Sequence, residues 1–283
     1  MTTVTSGSVQ LALHDLGGDG PPLLLAHATG FHGRVWEPVA AHLRDFHVYS
    51  LDFRGHGDSA VPEGTSFEWE HFGDDVLAVV DALAERDDND FAGHGLLAAG
   101  HSKGGASLLL AEQKRPGTFA ALYLYEPVVF PGPPPSGDGP NPLAAGALKR
   151  REVFDSHDAA YENFASKPPL DVLHPEALRA YVDHGFASQP DGTVRLKCRP
   201  ASESAVYTMG SQHSAWAHLD DVRCPVTVAM GADAPFTPAS FAPAIVERLP
   251  HGRLEQHPDL GHFGPLEDPA AIAAAIRAAL TAA

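Results

Sequence analysis

Gly100-His101-Ser102-Lys103-Gly104 sets a serine between glycines in a G-x-S-x-G pattern. The apolar run Leu96-Leu97-Ala98-Ala99 precedes it, and Ala106 to Ala111 follows it. Strand, tight turn, helix is the setting in which a serine becomes a nucleophile. Small neighbours let the turn close, and the turn lifts the hydroxyl clear of the sheet. The N-terminus of the next helix then points at the oxygen on which negative charge develops. The chemistry implied is attack on a carbonyl carbon. That chemistry needs a base for the serine proton, an acid to orient the base, and N–H donors for the oxyanion.

Three further stretches offer those groups. Leu260-Gly261-His262-Phe263-Gly264-Pro265-Leu266-Glu267-Asp268-Pro269 lies between the last predicted strand and the last predicted helix. A Gly-His pair there, downstream of such a serine, makes His262 the general base. The turn His27-Ala28-Thr29-Gly30-Phe31 follows an apolar strand. One of its backbone N–H groups supplies half of an oxyanion hole, and the N–H of Lys103 supplies the other half. His27 itself reads as a buried, hydrogen-bonded residue. Asp52-Phe53-Arg54-Gly55-His56-Gly57-Asp58-Ser59 reads as a structural loop in which Arg54 forms hydrogen bonds and Asp52 caps or pairs. The side chains of His101 and Lys103 receive no chemical role.

The elements that must position these groups follow from apolar periodicity. Strands are predicted at Val9 to Asp15, Pro22 to Ala26, His47 to Leu51, Leu96 to Ala99, Ala120 to Tyr125, Cys224 to Met230 and Gly252 to His257. Helical spacing runs over Val35 to Leu43, Phe72 to Glu85 and Pro269 to Ala282. This β-α-β-α alternation implies a mostly parallel sheet with helices on both faces. The rhythm breaks at the Pro/Gly-rich run Pro131 to Pro140. Beyond it, Leu143 to Ser166 and Pro175 to Ala187 read as helical, and Thr193 to Cys198 as extended. The expected division is therefore a core of residues 1–129 and 218–283 with an inserted, mainly helical cap at 130–217. Cap aromatics such as Phe154, Phe164, Tyr181, Tyr207 and Trp216 are candidates to line a pocket.

Taken in order, the HATGF turn, the DFRGHGDS loop, the GHSKGG elbow and the GHFGPLEDP loop resemble the α/β-hydrolase fold superfamily, over nearly the whole chain outside 130–217. The resemblance implies the α/β-hydrolase fold. It implies an oxyanion turn in which Thr29 is the donor, with Ala28 and Gly30 as alternatives because Ala28 stands where the family has glycine. It leaves the triad acid open between two carboxylates. Family members commonly carry it in a Gly-x-x-Asp turn after the strand ending here at Met230. This chain reads Gly231-Ala232-Asp233-Ala234, so Asp233 falls one residue early, and a one-residue shift at a strand end reverses side-chain direction. The second family arrangement puts the acid one strand earlier, where Glu126 precedes Pro127. Glu126 is the preferred acid and Asp233 the alternative.

Charge and composition narrow the function further. The formal net charge of −17 argues against nucleic acid and anionic membrane surfaces as partners. No segment reads as a signal peptide or a membrane span, so Cys198 and Cys224 are expected as reduced thiols in the cytoplasm. The 17 histidines are scattered without zinc-ligand spacing, and no metal or other cofactor is expected. Relatives with dehalogenase or epoxide hydrolase activity carry Asp at the elbow, so Ser102 points to acyl transfer instead. The expectation is a serine hydrolase of carboxylic esters or lactones, with Ser102, His262 and Glu126 as triad and Thr29 and Lys103 as oxyanion donors. Its partner is a small-molecule substrate, and a homo-oligomer is compatible with the sequence. The alternatives are C–C bond hydrolysis, perhydrolysis or a lyase reaction on the same triad, and a non-catalytic binding protein on the same scaffold.

Overall fold

The computed structural model describes every residue except 87–90, 92–94, 133–140, 211, 234–236 and 283. Most of the Pro131 to Pro140 run, the polar run after Arg86, and Ala234 thus lie outside the described residues.

Eight strands form the main sheet: β1 (Thr2–Ser6), β2 (Val9–Gly17), β3 (Pro22–Ala26), β4 (His47–Asp52), β5 (Leu96–His101), β6 (Phe119–Tyr125), β10 (Val226–Met230) and β11 (Gly252–Gln256). Their spatial order is β1-β2-β4-β3-β5-β6-β10-β11. All pairings from β4 to β11 are parallel, while β1–β2 and β2–β4 are antiparallel. The sheet is therefore mixed at one edge. Central strands are covered on both faces, and β3, Pro-Leu-Leu-Leu-Ala, is buried at every position, as a continuous apolar run requires. β1 escapes a reading by periodicity because Thr-Thr-Val-Thr-Ser is polar and buries only Val4 and Ser6.

Helices cover both faces. α2 (Glu70–Ala84) buries Phe72, Val76, Val79, Val80 and Leu83 along one stripe, the period that marks a helix packed on a core. α3 (Lys103–Lys114) begins directly after Ser102 and is buried almost throughout. On the other face α10 (Pro269–Thr281), which follows α8 (Pro238–Arg248) and α9 (Gly264–Glu267) along the chain, buries Ile272, Ile276 and Leu280. Its start is set by Pro269 in the first turn and by the Asp268 side chain, which accepts the Ala271 N–H at 3.0 Å. α1 (Glu37–Ala40) is shorter than the predicted Val35 to Leu43.

Between β6 and β10 the chain builds α4 (Pro142–Ala147), α5 (His157–Ala165), α6 (Pro175–Gly185) and α7 (Pro200–Met209). It also builds a three-stranded antiparallel sheet, in the order β7 (Val153–Phe154), β9 (Val194–Leu196), β8 (Phe186–Ser188), separate from the main one. Two expectations need correction here. Leu143 to Ser166 is not one helical stretch: Ser156 caps a new helix by accepting the Ala159 N–H at 3.0 Å, and Val153–Phe154 pair with β9 instead. The predicted helix through Ala187 stops at Gly185, where Phe186 turns into β8. Phe154, Phe164 and Phe186 pack tilted and edge-to-face against one another at centroid distances of 5.6 to 6.1 Å. That apolar cluster stabilises the small sheet more than local helix propensity favours a continued helix.

Candidate active site

Strand register gathers the site. Ala26 pairs with Gly100, His101 with Tyr125, and Tyr125 with Ala229. The C-terminal ends of β3, β5, β6 and β10 therefore lie side by side, and the residues that follow each strand share one edge. β4 lies on one side of β3 and β5 on the other. This reversal of strand order is where open α/β sheets bind ligands.

At that edge the backbone is forced. Ser102 has φ 55° and Glu126 has φ 44°, the two non-glycine residues with positive φ among those described. Such conformations cost on the order of 1–3 kcal/mol and persist only where surroundings over-determine them. For Ser102 the surroundings are its N–H to the Tyr125 carbonyl at 2.9 Å and the start of α3 packed on β3. A Cβ on Gly104 would stand 2.1 Å from the Ala26 carbonyl oxygen, so only glycine lets the helix approach. For Glu126, its N–H donates to the Ala229 carbonyl at 2.8 Å.

The side chains form one hydrogen-bonded path. Ser102 Oγ is 3.2 Å from His262 Nε2, and His262 Nδ1 is 2.6 Å from Glu126 Oε2. A carboxylate only accepts, so the His262 proton sits on Nδ1 and the Nε2 lone pair faces the serine. The other carboxylate oxygen, Oε1, accepts the Gly231 N–H at 2.9 Å. Glu126 is 1% exposed. Asp233, in the turn that begins at Gly231, is exposed. The turn considered for a carboxylate thus gives a backbone donor to Glu126.

The loop carrying His262 is held by groups that pattern reading left without a role. His101 Nε2–H donates to the His262 carbonyl at 2.7 Å. Burial, then repulsion from His262, hold His101 neutral by pushing its pKa well down. Tyr125 donates its hydroxyl to the Gly261 carbonyl at 2.8 Å. Glu267 accepts the N–H groups of Gly261 and Phe263 at 2.9 and 3.1 Å. The signal for these three was present only as position: a flank of the serine, the end of β6, and a turn after the histidine.

The remaining candidates divide. Thr29 is buried in the turn after β3, and neither its amide nor that of Lys103 has a backbone acceptor among the described residues. The Lys103 side chain runs into the core. Its Nζ lies 4.0 Å from the Phe53 ring centre and 4.5 Å from that of Phe72, fully buried, without a hydrogen-bond partner among the described residues. Burial pushes its pKa well down. His27 Nδ1–H donates to the Ala28 carbonyl at 2.7 Å, and its Nε2 accepts the Phe53 N–H at 3.1 Å. Asp52 accepts from His14 and from the amides of Gly33 and Asp58, and Arg54 forks onto Asp75 at 2.7 and 2.8 Å. His14, Asp52 and Asp58 also stand close enough to share a metal ion. Their atoms already serve protein partners, with the Lys197 ammonium 2.6 Å from Asp58.

Against the turn after β3 and against Phe263, the neighbour of His262 in the chain, lies a cavity of about 270 Å³. Its wall joins the turn Thr29–Phe31 and Phe263 to Arg150, Phe164, Tyr181, Glu203 and Tyr207 from the segment between β6 and β10. Phe154 and Trp216 do not line it: Phe154 packs in the cluster above, and Trp216 packs on the core under Arg248.

Comparison with known proteins identifies the family of the chain. A family model described as the alpha/beta hydrolase family matches residues 23–275. Lipase LipV of Mycobacterium tuberculosis is 28% identical over 96% of this chain and 98% of its own. The pimeloyl-[acyl-carrier protein] methyl ester esterase of Aromatoleum aromaticum is 26% identical over 88% and 94%. Among solved structures, E-2-(acetamidomethylene)succinate hydrolase superposes with a TM-score of 0.81 at 23% identity, covering 99% of this chain and 98% of its own.

Proposed function

The chain belongs to the alpha/beta hydrolase family, and from that premise we propose that it cleaves carboxylic esters or lactones through an acyl-enzyme on Ser102. The observation that carries the proposal is the path from Ser102 Oγ through both ring nitrogens of His262 to Glu126. Ser102 Oγ attacks the carbonyl carbon while His262 Nε2 takes its proton. Glu126 holds the imidazole in the Nδ1–H tautomer and stabilises the imidazolium. The amides of Thr29 and Lys103 receive the oxyanion, helped by the N-terminus of α3. Collapse breaks the bond to the alcohol oxygen, which leaves with the proton from His262. Water then attacks the acyl-enzyme, His262 accepts its proton, and Ser102 is regenerated as the acid departs. Relatives named as a lipase and a methyl ester esterase support the choice of ester substrates.

Residues 130–217 act as a cap on a core of 1–129 and 218–283, a division supported by the cap residues in the cavity wall. The partner is a small molecule, and no cofactor enters the cycle. No helix among the described residues is long and apolar enough to cross a membrane. A cytoplasmic setting accords with the free, buried thiols of Cys198 and Cys224. The test is covalent labelling with a fluorophosphonate alongside a panel of p-nitrophenyl esters and lactones. Wild type should be labelled on the Ser102 peptide and Ser102→Ala should not, with an unchanged melting temperature. Labelling that persists in Ser102→Ala refutes the assignment.

A further inference from the structure

The cavity against the Thr29 turn has a mostly apolar wall in which a few charged groups stand out. At about 270 Å³ it is smaller than the ~300–1,000 Å³ typical of drug-sized ligand sites, so it suits a short acyl group. Acidic residues outnumber basic ones 36 to 19 along the chain, yet this wall carries Arg150 and Lys167 against Glu203 alone. The local balance thus opposes that of the whole protein.

Arg150 is built in. One terminal nitrogen donates to Glu203 Oε2 at 2.5 Å, and the other donates to the Tyr181 hydroxyl. Burial opposes its charge, but Tyr181 and Glu203 more than offset this and hold it protonated. A guanidinium has five N–H bonds. Two are used here, and no third acceptor stands among the described residues. The pair lies over the oxyanion turn: a Cβ on Gly30 would meet Glu203 Oε1 at 2.6 Å and an Arg150 terminal nitrogen at 3.3 Å. Lys167 stands exposed at the rim, donating to Asn163 at 2.7 Å.

We propose that Arg150, seated by Glu203 and Tyr181 beside the Thr29 turn, receives the carboxylate of a short acyl group. The substrates are then monoesters of small dicarboxylic acids. A planar fork with unspent donors matches a carboxylate better than it matches an alkyl chain. Lys167 adds a second positive charge at the entrance. The inference rests on the serine-hydrolase reading, and Arg150 acts on specificity, not on bond breaking.

The experiment compares monomethyl succinate with methyl 4-methylpentanoate, in which a branched alkyl end replaces the carboxylate at equal heavy-atom count. Wild type should show the higher kcat/KM on monomethyl succinate, releasing methanol and succinate. Arg150→Met should lower the ratio of the two by about 10–100-fold, the loss of hydrogen bonds to a charged group, mainly through KM for the anion. Glu203→Gln keeps the side-chain volume but removes the competing negative charge, so the ratio should rise. That gain is not expected of a purely structural Glu203, and it keeps the test decisive if Arg150→Met fails to fold. A wild type that prefers the neutral ester, or a ratio unmoved by both variants, overturns the inference while fluorophosphonate labelling of Ser102 persists. Loss of labelling together with inertness toward both esters overturns the serine-hydrolase reading and this inference with it.

Discussion

Glu126→Gln is the most informative single change, because the structure dictates what the amide does. Glu126 Oε1 accepts the Gly231 N–H at 2.9 Å and Oε2 faces His262 Nδ1 at 2.6 Å. Glu126 is only 1% exposed, so its amide replacement has two orientations, each fixed by the protein groups around it. If its oxygen stays on Gly231, the NH2 faces Nδ1. The histidine proton is then driven to Nε2, and a donor points at Ser102 where a base is needed. If the amide flips, its oxygen serves His262, but two donors meet at Gly231, at a cost of roughly 1–3 kcal/mol for the unsatisfied group. Either way the ion pair with the imidazolium of the transition state is lost. Amide replacement of the acid in a comparable triad lowers turnover by about 10⁴, roughly 5.4 kcal/mol at 1.36 kcal/mol per decade. Initial rates on p-nitrophenyl acetate, with thermal melts alongside, should show a loss of about 10³–10⁴ in kcat without unfolding. Asp233→Asn, at an exposed position, should stay close to wild type. A loss of less than about tenfold, or 1.4 kcal/mol, in Glu126→Gln would refute the tautomer argument, and a crippled Asp233→Asn would transfer the role to that residue.

Two further outcomes follow from buried groups near the serine. Lys103→Met removes an amine that is buried without a hydrogen-bond partner among the described residues, so it should preserve activity, which uses only the backbone amide, and raise stability by about 1–3 kcal/mol. Burial lowers the folded pKa of Lys103 below the unfolded value near ~10.4, so below that pH the unfolded chain binds more protons and wild-type stability rises with pH. Denaturant melts should therefore show the advantage of Lys103→Met at neutral pH and its shrinkage as pH approaches ~10.4, and a destabilised variant would disprove the reasoning. His101→Phe keeps a ring but loses the 2.7 Å bond to the His262 carbonyl, so kcat should fall about 5–10-fold, the worth of one such bond, with KM little changed. A change confined to KM would show that His101 touches substrate instead of positioning His262.

The local parts of this site were legible in the chain because their causes are local. A serine between glycines, after an apolar strand and before a helix, specifies a turn wherever it occurs, since the turn's geometry depends on five consecutive residues. The same holds for the Pro22–Ala26 strand, whose unbroken apolar run needs two covered faces, and for α10, marked by Asp268, Pro269 and its isoleucine spacing. Pairing across the fold was not legible in this way. Whether Glu126 or Asp233 lies against His262 depended on a register of one residue: Glu126 lies there, and the turn after β10 offers it the Gly231 amide where a carboxylate was in question. The break between Arg150 and Ser156 depended on three phenylalanines meeting from separate elements. Arg150, Tyr181 and Glu203 carry no motif: they come from a loop and two helices, up to 53 residues apart, and only packing made them one wall. The direction of the Lys103 side chain was likewise set by the gap between Phe53 and Phe72. Short-range sterics write themselves into sequence patterns, whereas contacts between distant elements are chosen by the total packing of the chain, which no single segment encodes.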